Sequence, residues 1–139
     1  MRYIDEELKI ANLFASTAVI VDISGAGISV EGYEDDAEVI LTTGLIDSTN
    51  CTFAINVQAS TALAGAYTTI GSFTTITATD DYKIAALPIS LKGTDRKYIR
   101  LNVDATLAAS ATLIHAIIGA QVLLRPTVLK SGLNSSTLA

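Results

Sequence analysis

The sequence predicts an all-β fold, a jelly-roll-like β-sandwich of about eight strands, and three observations carry that prediction. Phe53, Ile55 and Val57 alternate with smaller or polar neighbours, and Ile99, Leu101 and Val103 alternate with Arg100, Asn102 and Asp104. A period of two belongs to a strand with one buried face. Seven or eight strand segments stand at roughly even spacing, with turn-forming groups at residues 24–27, 47–50, 80–81 and 93–95 between them, as in sandwiches and barrels. The apolar half of the composition comes mainly from Ala, Val, Ile and Leu, with 6% aromatic residues and no Trp; together with abundant Thr this favours strands over helices.

The 139 residues fit one domain, read as an N-terminal arm (1–17), a β-sandwich (18–126) and a Ser-rich tail (127–139). Residues 5–15 admit a helix, with Leu8 and Phe14 on overlapping faces, or an extended arm crossing a neighbouring subunit; the arm is the favoured reading. The run 18–23 reads as the first strand and stops at Ser24-Gly25-Ala26-Gly27, after which residues 28–38 form an acidic loop. Residues 38–43 give a second strand ending at Gly44, and residues 52–58 a third with the clearest alternation. Small residues from 59 to 66 suggest a loop or a single helical turn. Strand signals resume over 68–77, with Gly71 marking a bulge or bend. The strand over 83–91 contains Pro88, which has no N–H to donate and so belongs at a sheet edge. Residues 98–104 form a further strand. The last strand, 113–125, is apolar on both faces, as expected of a central or interface strand, and ends at Pro126.

Charge and hydropathy exclude several function classes. A net charge of −5 and a pI near 4.6 leave no basic face to neutralise phosphates, so nucleic acid is not an expected partner. The longest apolar stretch, 113–124, is interrupted by His115 and Gln121 and falls short of the roughly 20 residues needed to span a bilayer. Asp5, Glu6 and Glu7 stand where a secretory signal needs a basic flank, so no export signal and no membrane association are expected. A mean hydropathy of +0.45 is high for a soluble monomer and points to apolar surface covered by another chain. Cys51 is the single cysteine, which rules out an intrachain disulfide and a thiolate metal cluster.

The motifs that could carry chemistry have simpler readings. Ser24-Gly25-Ala26-Gly27 follows a strand but lacks the third glycine and the helix of a dinucleotide site, so it reads as a turn. Glu34, Asp35, Asp36, Asp80 and Asp81 offer oxygens to a hard cation but without EF-hand spacing; solvated carboxylates are the expectation, with no metal and no cofactor. His115 is the only histidine and sits in mid-strand without a serine elbow, so no catalytic triad is expected and the chain is read as a non-enzyme. The sequons at Asn50 and Asn134 read as accidental without export.

The opening Tyr3-Ile4-Asp5-Glu6-Glu7-Leu8, the strand and glycine turn over 19–27, Phe53-Ala54-Ile55-Asn56-Val57-Gln58-Ala59-Ser60, and Arg96-Lys97-Tyr98-Ile99-Arg100-Leu101 before a Gly-containing apolar last strand follow one another in a telling order. In that order the chain resembles the jelly-roll cement, or decoration, proteins of tailed bacteriophages, the family typified by a Bordetella phage cement protein. The likeness covers most of the chain; residues 59–65 depart from it where a more acidic loop belongs. It implies a homotrimer, made in the bacterial cytoplasm, that sits on the exterior of the icosahedral head and clamps neighbouring major capsid protein subunits. The arm would supply the contact, with Arg2, Tyr3, Ile4, Leu8 and Phe14 as anchors. Another virion part, such as a tail or head-completion subunit, and a carbohydrate-binding jelly roll are the alternatives. The absence of Trp weighs against the latter.

Overall fold

The computed structural model describes residues 9–19, 22–46, 51–107 and 116–125. Its strands are β1 (Lys9–Val19), β2 (Ile23–Ser24), β3 (Ile28–Ser29), β4 (Asp36–Ile46), β5 (Cys51–Ser60), β6 (Thr68–Ser72), β7 (Ile84–Ser90), β8 (Tyr98–Leu107) and β9 (Ala116–Leu124). They form two antiparallel sheets, one ordered β1-β9-β4-β7, the other β2-β8-β5-β6 with β3 also on β8. β2 lies opposite Val103 and Asn102, and β3 opposite Ile99 and Tyr98. The two are pieces of one edge strand interrupted at residues 25–27, so eight strand positions result.

The pairings are nested: β5 with β6, β4 with β7, β2 and β3 with β8, and β1 with β9. A long hairpin folded over on itself, then sealed by β4 on β9 and β5 on β8, gives this order. That is the jelly roll the sequence led us to expect.

The core lies between the sheets. Phe53, Ile55 and Val57 of β5 and Ile99, Leu101 and Val103 of β8 face Val39 and Leu41 of β4 and Ile118, Val122 and Leu124 of β9, all essentially inaccessible. Each such side chain contributes about 1.5–3 kcal/mol of transfer free energy. Alternation therefore fixes register, since a one-residue slip would turn every one of them outward.

Several sequence expectations hold. β9 is central, between β1 and β4. Pro88 lies in β7, an edge strand of its sheet. The β6 register slips opposite Val57 and Gln58, where Gly71 and Thr69 bracket a bulge.

The N-terminal reading needs correction. Residues 9–17, assigned by the sequence to an arm, make up most of β1, neither helical nor reaching outward. The β1 register on β9 shifts twice, between Asn12 and Phe14 and between Phe14 and Thr17. Consecutive residues Leu13 and Phe14 therefore both reach the core, at 2% and 6% exposure. These bulges break the period of two, which is why the strand is not legible in the sequence. The apolar run 18–23 holds the end of β1 and the start of β2, which belong to different sheets.

Candidate functional site

The outer faces of the two sheets differ in chemistry. On the β2-β8-β5-β6 sheet a transverse polar row crosses all four strands: Ser24 opposes Asn102, Asn102 opposes Asn56, and Asn56 opposes Ser72. The Ser24 hydroxyl donates to Asn102 Oδ1 at 2.6 Å, and Ser72 donates to Asn56 Oδ1 at 2.7 Å. Asn102 Nδ2 donates to Asp104 at 3.0 Å. One row along, Arg100 Nε donates to Gln58 Oε1 at 2.9 Å, while its guanidinium lies 4.1 Å from the Tyr67 ring centre. The Tyr67 hydroxyl donates to the Leu63 carbonyl at 2.8 Å, which ties down the turn after β5. Along these two rows the polar side chains hydrogen-bond to one another, and the face suits contact with water.

The outer face of the β1-β9-β4-β7 sheet is built differently. One row runs Ile10, Leu123, Glu38, Pro88; the next Asn12, Gln121, Ile40, Ala86; and a third joins Gly119, Thr42 and Ile84. Ile84 is 76% exposed and Ile10 62%. Acidic groups gather only at one end, at Asp36 and Glu38, where the neighbouring Glu34 approaches Arg125 at 3.8 Å. The rest of the face carries no charge. Gly119 packs closely there: a Cβ would stand 3.2 Å from Ser16 and 3.4 Å from Thr42 Oγ1.

At the β7 edge the sandwich gapes. A cleft of about 280 Å³ opens there, lined by Leu41, Phe73, Ile76, Ala85 and Leu87. Asp80 and Lys83 pair at its rim, 3.3 Å apart. The Asp80 carboxyl also accepts from the Thr77 backbone N–H at 2.9 Å. That hydrogen bond, helped by the Lys83 ammonium, holds the Asp80 pKa below its ordinary 3.8 against the opposing effect of desolvation.

The sequence-selected residues do not converge on a site. Arg2, Tyr3, Ile4 and Leu8 lie outside the described residues, as do His115, Asn50 and Asn134. Phe14 is a core residue whose ring edge comes within 3.0 Å of where a Gly25 Cβ would stand, so it is not available as an anchor for a partner. The two acidic groups sit near opposite ends of β4: Glu34 beside its start, and Asp80 accepting through its carbonyl from Thr43 Oγ1. About seven strand residues separate these points, on the order of 24 Å. No cluster of His, Cys, Asp or Glu suited to a metal occurs among the described residues. Gly27 lies beneath the Tyr67 hydroxyl, and β3 follows it where a dinucleotide site would begin a helix. Cys51 is buried at the start of β5.

What sequence reasoning missed is the pair Ile84 and Ala86, with Ile10, Ile40 and Leu123. The signal was present: 84–89 is an unbroken run without charge around a proline, so the strand that had to be an edge was also apolar on its outer face.

The geometry defines a jelly-roll β-sandwich with one polar outer face and one that carries charge only at one end. No family model matches the chain, and no curated protein sequence matches it. Among solved structures it is similar to the protein YomS derived from the SPBc2 prophage, with a TM-score of 0.53 and 10% identity over 84% of this chain and 94% of that one. It is also similar to a chain of infectious bursal disease virus, Gx strain, with a TM-score of 0.53 and 7% identity over 84% of this chain. A chain of the Gt strain gives 0.53 and 8% over 87%. The likeness spans only about a third of each virus chain, 32% and 33%. At these identities the likeness is one of fold. No helix among the described residues is long and apolar enough to cross a membrane.

Proposed function

We propose that this chain is a structural subunit of a virion that works by assembly, not catalysis, and more specifically a decoration protein of a phage head. The observation that carries the reading is the contrast between the two outer faces. A polar face whose central rows hydrogen-bond to one another suits solvent, whereas a face that carries charge only at one end, on a protein of net charge −5, suits a neighbour. The fold shared with a prophage-derived protein and with a virus-particle chain supports the virion setting.

In this role the apolar face, or the segment preceding β1, meets major capsid protein subunits, and many weak contacts around the shell add up by multivalency. The homotrimer implied by the cement-protein resemblance belongs to the same proposal. A carbohydrate-binding role is less well supported, because the Tyr67 ring on the polar face is covered by Arg100.

The test uses heads produced with and without this chain in a host carrying the cognate head genes. Added purified chain should bind the exterior of heads that lack it saturably, and raise the temperature at which they rupture. A chain that stays off the heads, or is found only inside them or in tails, overturns the decoration reading. Trimming residues 1–8, which leaves β1 intact, then separates a contact made by that segment from one made by the sheet face.

A further inference from the structure

We infer that the segment following β9 closes the β7 edge of its own chain: residues 137–139 pair antiparallel with Ile84–Ala86, and Leu138 fills the cleft between the sheets. Such closure belongs to the fold and holds whether or not the chain serves in a virion.

The cleft exists because β7 offers too little side chain at one inward position. Leu87 and Ile89 pack against the core, and Ala85, in the same phase and opposite Leu41, points inward with them. Ala85 is nevertheless exposed, whereas Leu41 behind it is 2% accessible. On the other sheet β6 ends at Ser72, and Phe73 and Ile76 continue along β5 through hydrogen bonds to the Ile55 and Phe53 carbonyls. The cleft of about 280 Å³ between them has apolar walls and room for a leucine side chain.

The backbone beside the cleft has its groups turned outward. Thr43 N–H donates to Lys83 O and Leu91 N–H donates to Asp35 O, so the odd-numbered residues of β7 face β4, and the N–H and C=O of Ile84 and Ala86 point away from the sheet. A strand laid there finds a donor and an acceptor at each. Pro88, the next outward position, has no N–H, so the pairing frays beyond Leu87 and the groups there keep to water.

Length, direction and charge select residues 126–139, which lie outside the described residues. Leu123 opposes Glu38 and Glu38 opposes Pro88, so Arg125, two residues on, leaves the sheet level with Ser90. From there the outer side of β7 is three strand spacings away, about 14 Å, and Ala85 lies a further five residues along, about 17 Å. That path needs about ten extended residues. Leu133 therefore falls short, and Leu138 reaches with slack for the turn. Running from the Ser90 end toward Ile84, the segment is antiparallel to β7, as every pairing in this sheet is. Residues 1–8 would run parallel to β7 and would carry Asp5, Glu6 and Glu7 past an end of the sheet that is already acidic. In residues 126–139 Lys130 is the only charged side chain. It falls in the crossing stretch, where Asp35 and Asp36 stand, and the residues after it are uncharged like the β7 strand they meet. A tether of this length sets an effective concentration on the order of millimolar, so a contact of a few residues suffices for the chain's own segment where a separate partner would not be held.

The test is disulfide trapping in the full chain, with the parent, whose Cys51 is buried, as control. With Leu138 opposite Ala85, Thr137 opposes Ala86 as a hydrogen-bonded pair about 5.5 Å apart, within the range a disulfide accepts, and both side chains lie on the outer face. Ala86→Cys with Thr137→Cys, under mild oxidation of a dilute sample, should close an intrachain disulfide about ten times faster or more than Ala86→Cys with Leu133→Cys. Adding Leu138→Asp should bring the first pair down to the rate of the second. Ile84→Cys with Ala139→Cys, the next hydrogen-bonded pair, serves if the first variant loses the far-ultraviolet spectrum of the parent. Equal rates for the two pairs, a rate indifferent to Leu138→Asp, or a product that is mainly a covalent dimer, with the segment of a second copy on the edge, each overturns the proposal.

Discussion

Replacing Phe14 by Ala separates two views of the N-terminal segment, because a partner anchor and a core residue respond in opposite ways. Phe14 is 94% buried, from its 6% exposure, and packs against the turn at Gly25. A phenylalanine buries about 150–250 Å², which at about 25 cal/mol per Å² gives roughly 4–6 kcal/mol as an upper bound. Measured Phe→Ala costs run about 3–5 kcal/mol, and since β1 is an edge strand able to relax, about 3 kcal/mol is expected. With a urea m-value near 2 kcal/mol/M, the unfolding midpoint should fall by about 1.5 M. The chain has five Tyr and no Trp, so tyrosine fluorescence together with far-ultraviolet circular dichroism follows the transition. Ile10→Ala, in the same strand but 62% exposed, should change stability by no more than about 0.5 kcal/mol. A loss below about 1 kcal/mol for Phe14→Ala would show that this ring is not a core element, and the assignment of β1 would fall with it.

Other expectations concern single contacts. Gly27→Ala places a Cβ 2.2 Å from the Tyr67 hydroxyl; displacing the ring from Leu63 and Arg100 should cost about 1–3 kcal/mol, read as a lower melting temperature. The lowered Asp80 pKa means that its contribution to stability is present above the ordinary carboxylate value and is lost as pH falls through the folded-state value. Asp80→Asn should therefore weaken the acid limb of a stability-versus-pH profile, and an unchanged limb would show that the Thr77 and Lys83 contacts contribute nothing. Removing residues 1–14 should lower the melting temperature of the domain itself, since it takes away the first half of β1 with the core residues Leu13 and Phe14.

How much was legible in the sequence follows from where the period of two survives. β5 and β8 lie in mid-sheet, paired over their full lengths without a shift, and their alternation appears directly in the sequence. β9 was legible as a central strand because both its faces are apolar, and Pro88 marked an edge because a proline is tolerated only there. β1 was hidden because its bulges put Leu13 and Phe14 side by side in the core. The break between β1 and β2 was hidden because the β-branched residues run on across a change of sheet. The candidate surface was legible only at β7, in the uncharged run 84–89; Ile10, Leu123, Ile40 and Ala86 are far apart in sequence, and only the register of four strands sets them in adjoining rows.

The nested order of pairing has a consequence for the chain as it is made. β4 receives β7 early, but its other neighbour is β9, and β1 has only β9 to pair with in its sheet. Until the residues up to Leu124 have left the ribosome, half of that sheet has no place to go, and the rows containing Leu123 and Gln121 do not exist. Chains rich in such distant pairings fold slowly, and synthesis at about 5–20 residues per second sets the earliest moment at which this one is able to start closing. The outer face of that sheet is thus among the last parts to form, so a nascent chain on a crowded polysome has little of it to offer before its own sandwich is shut.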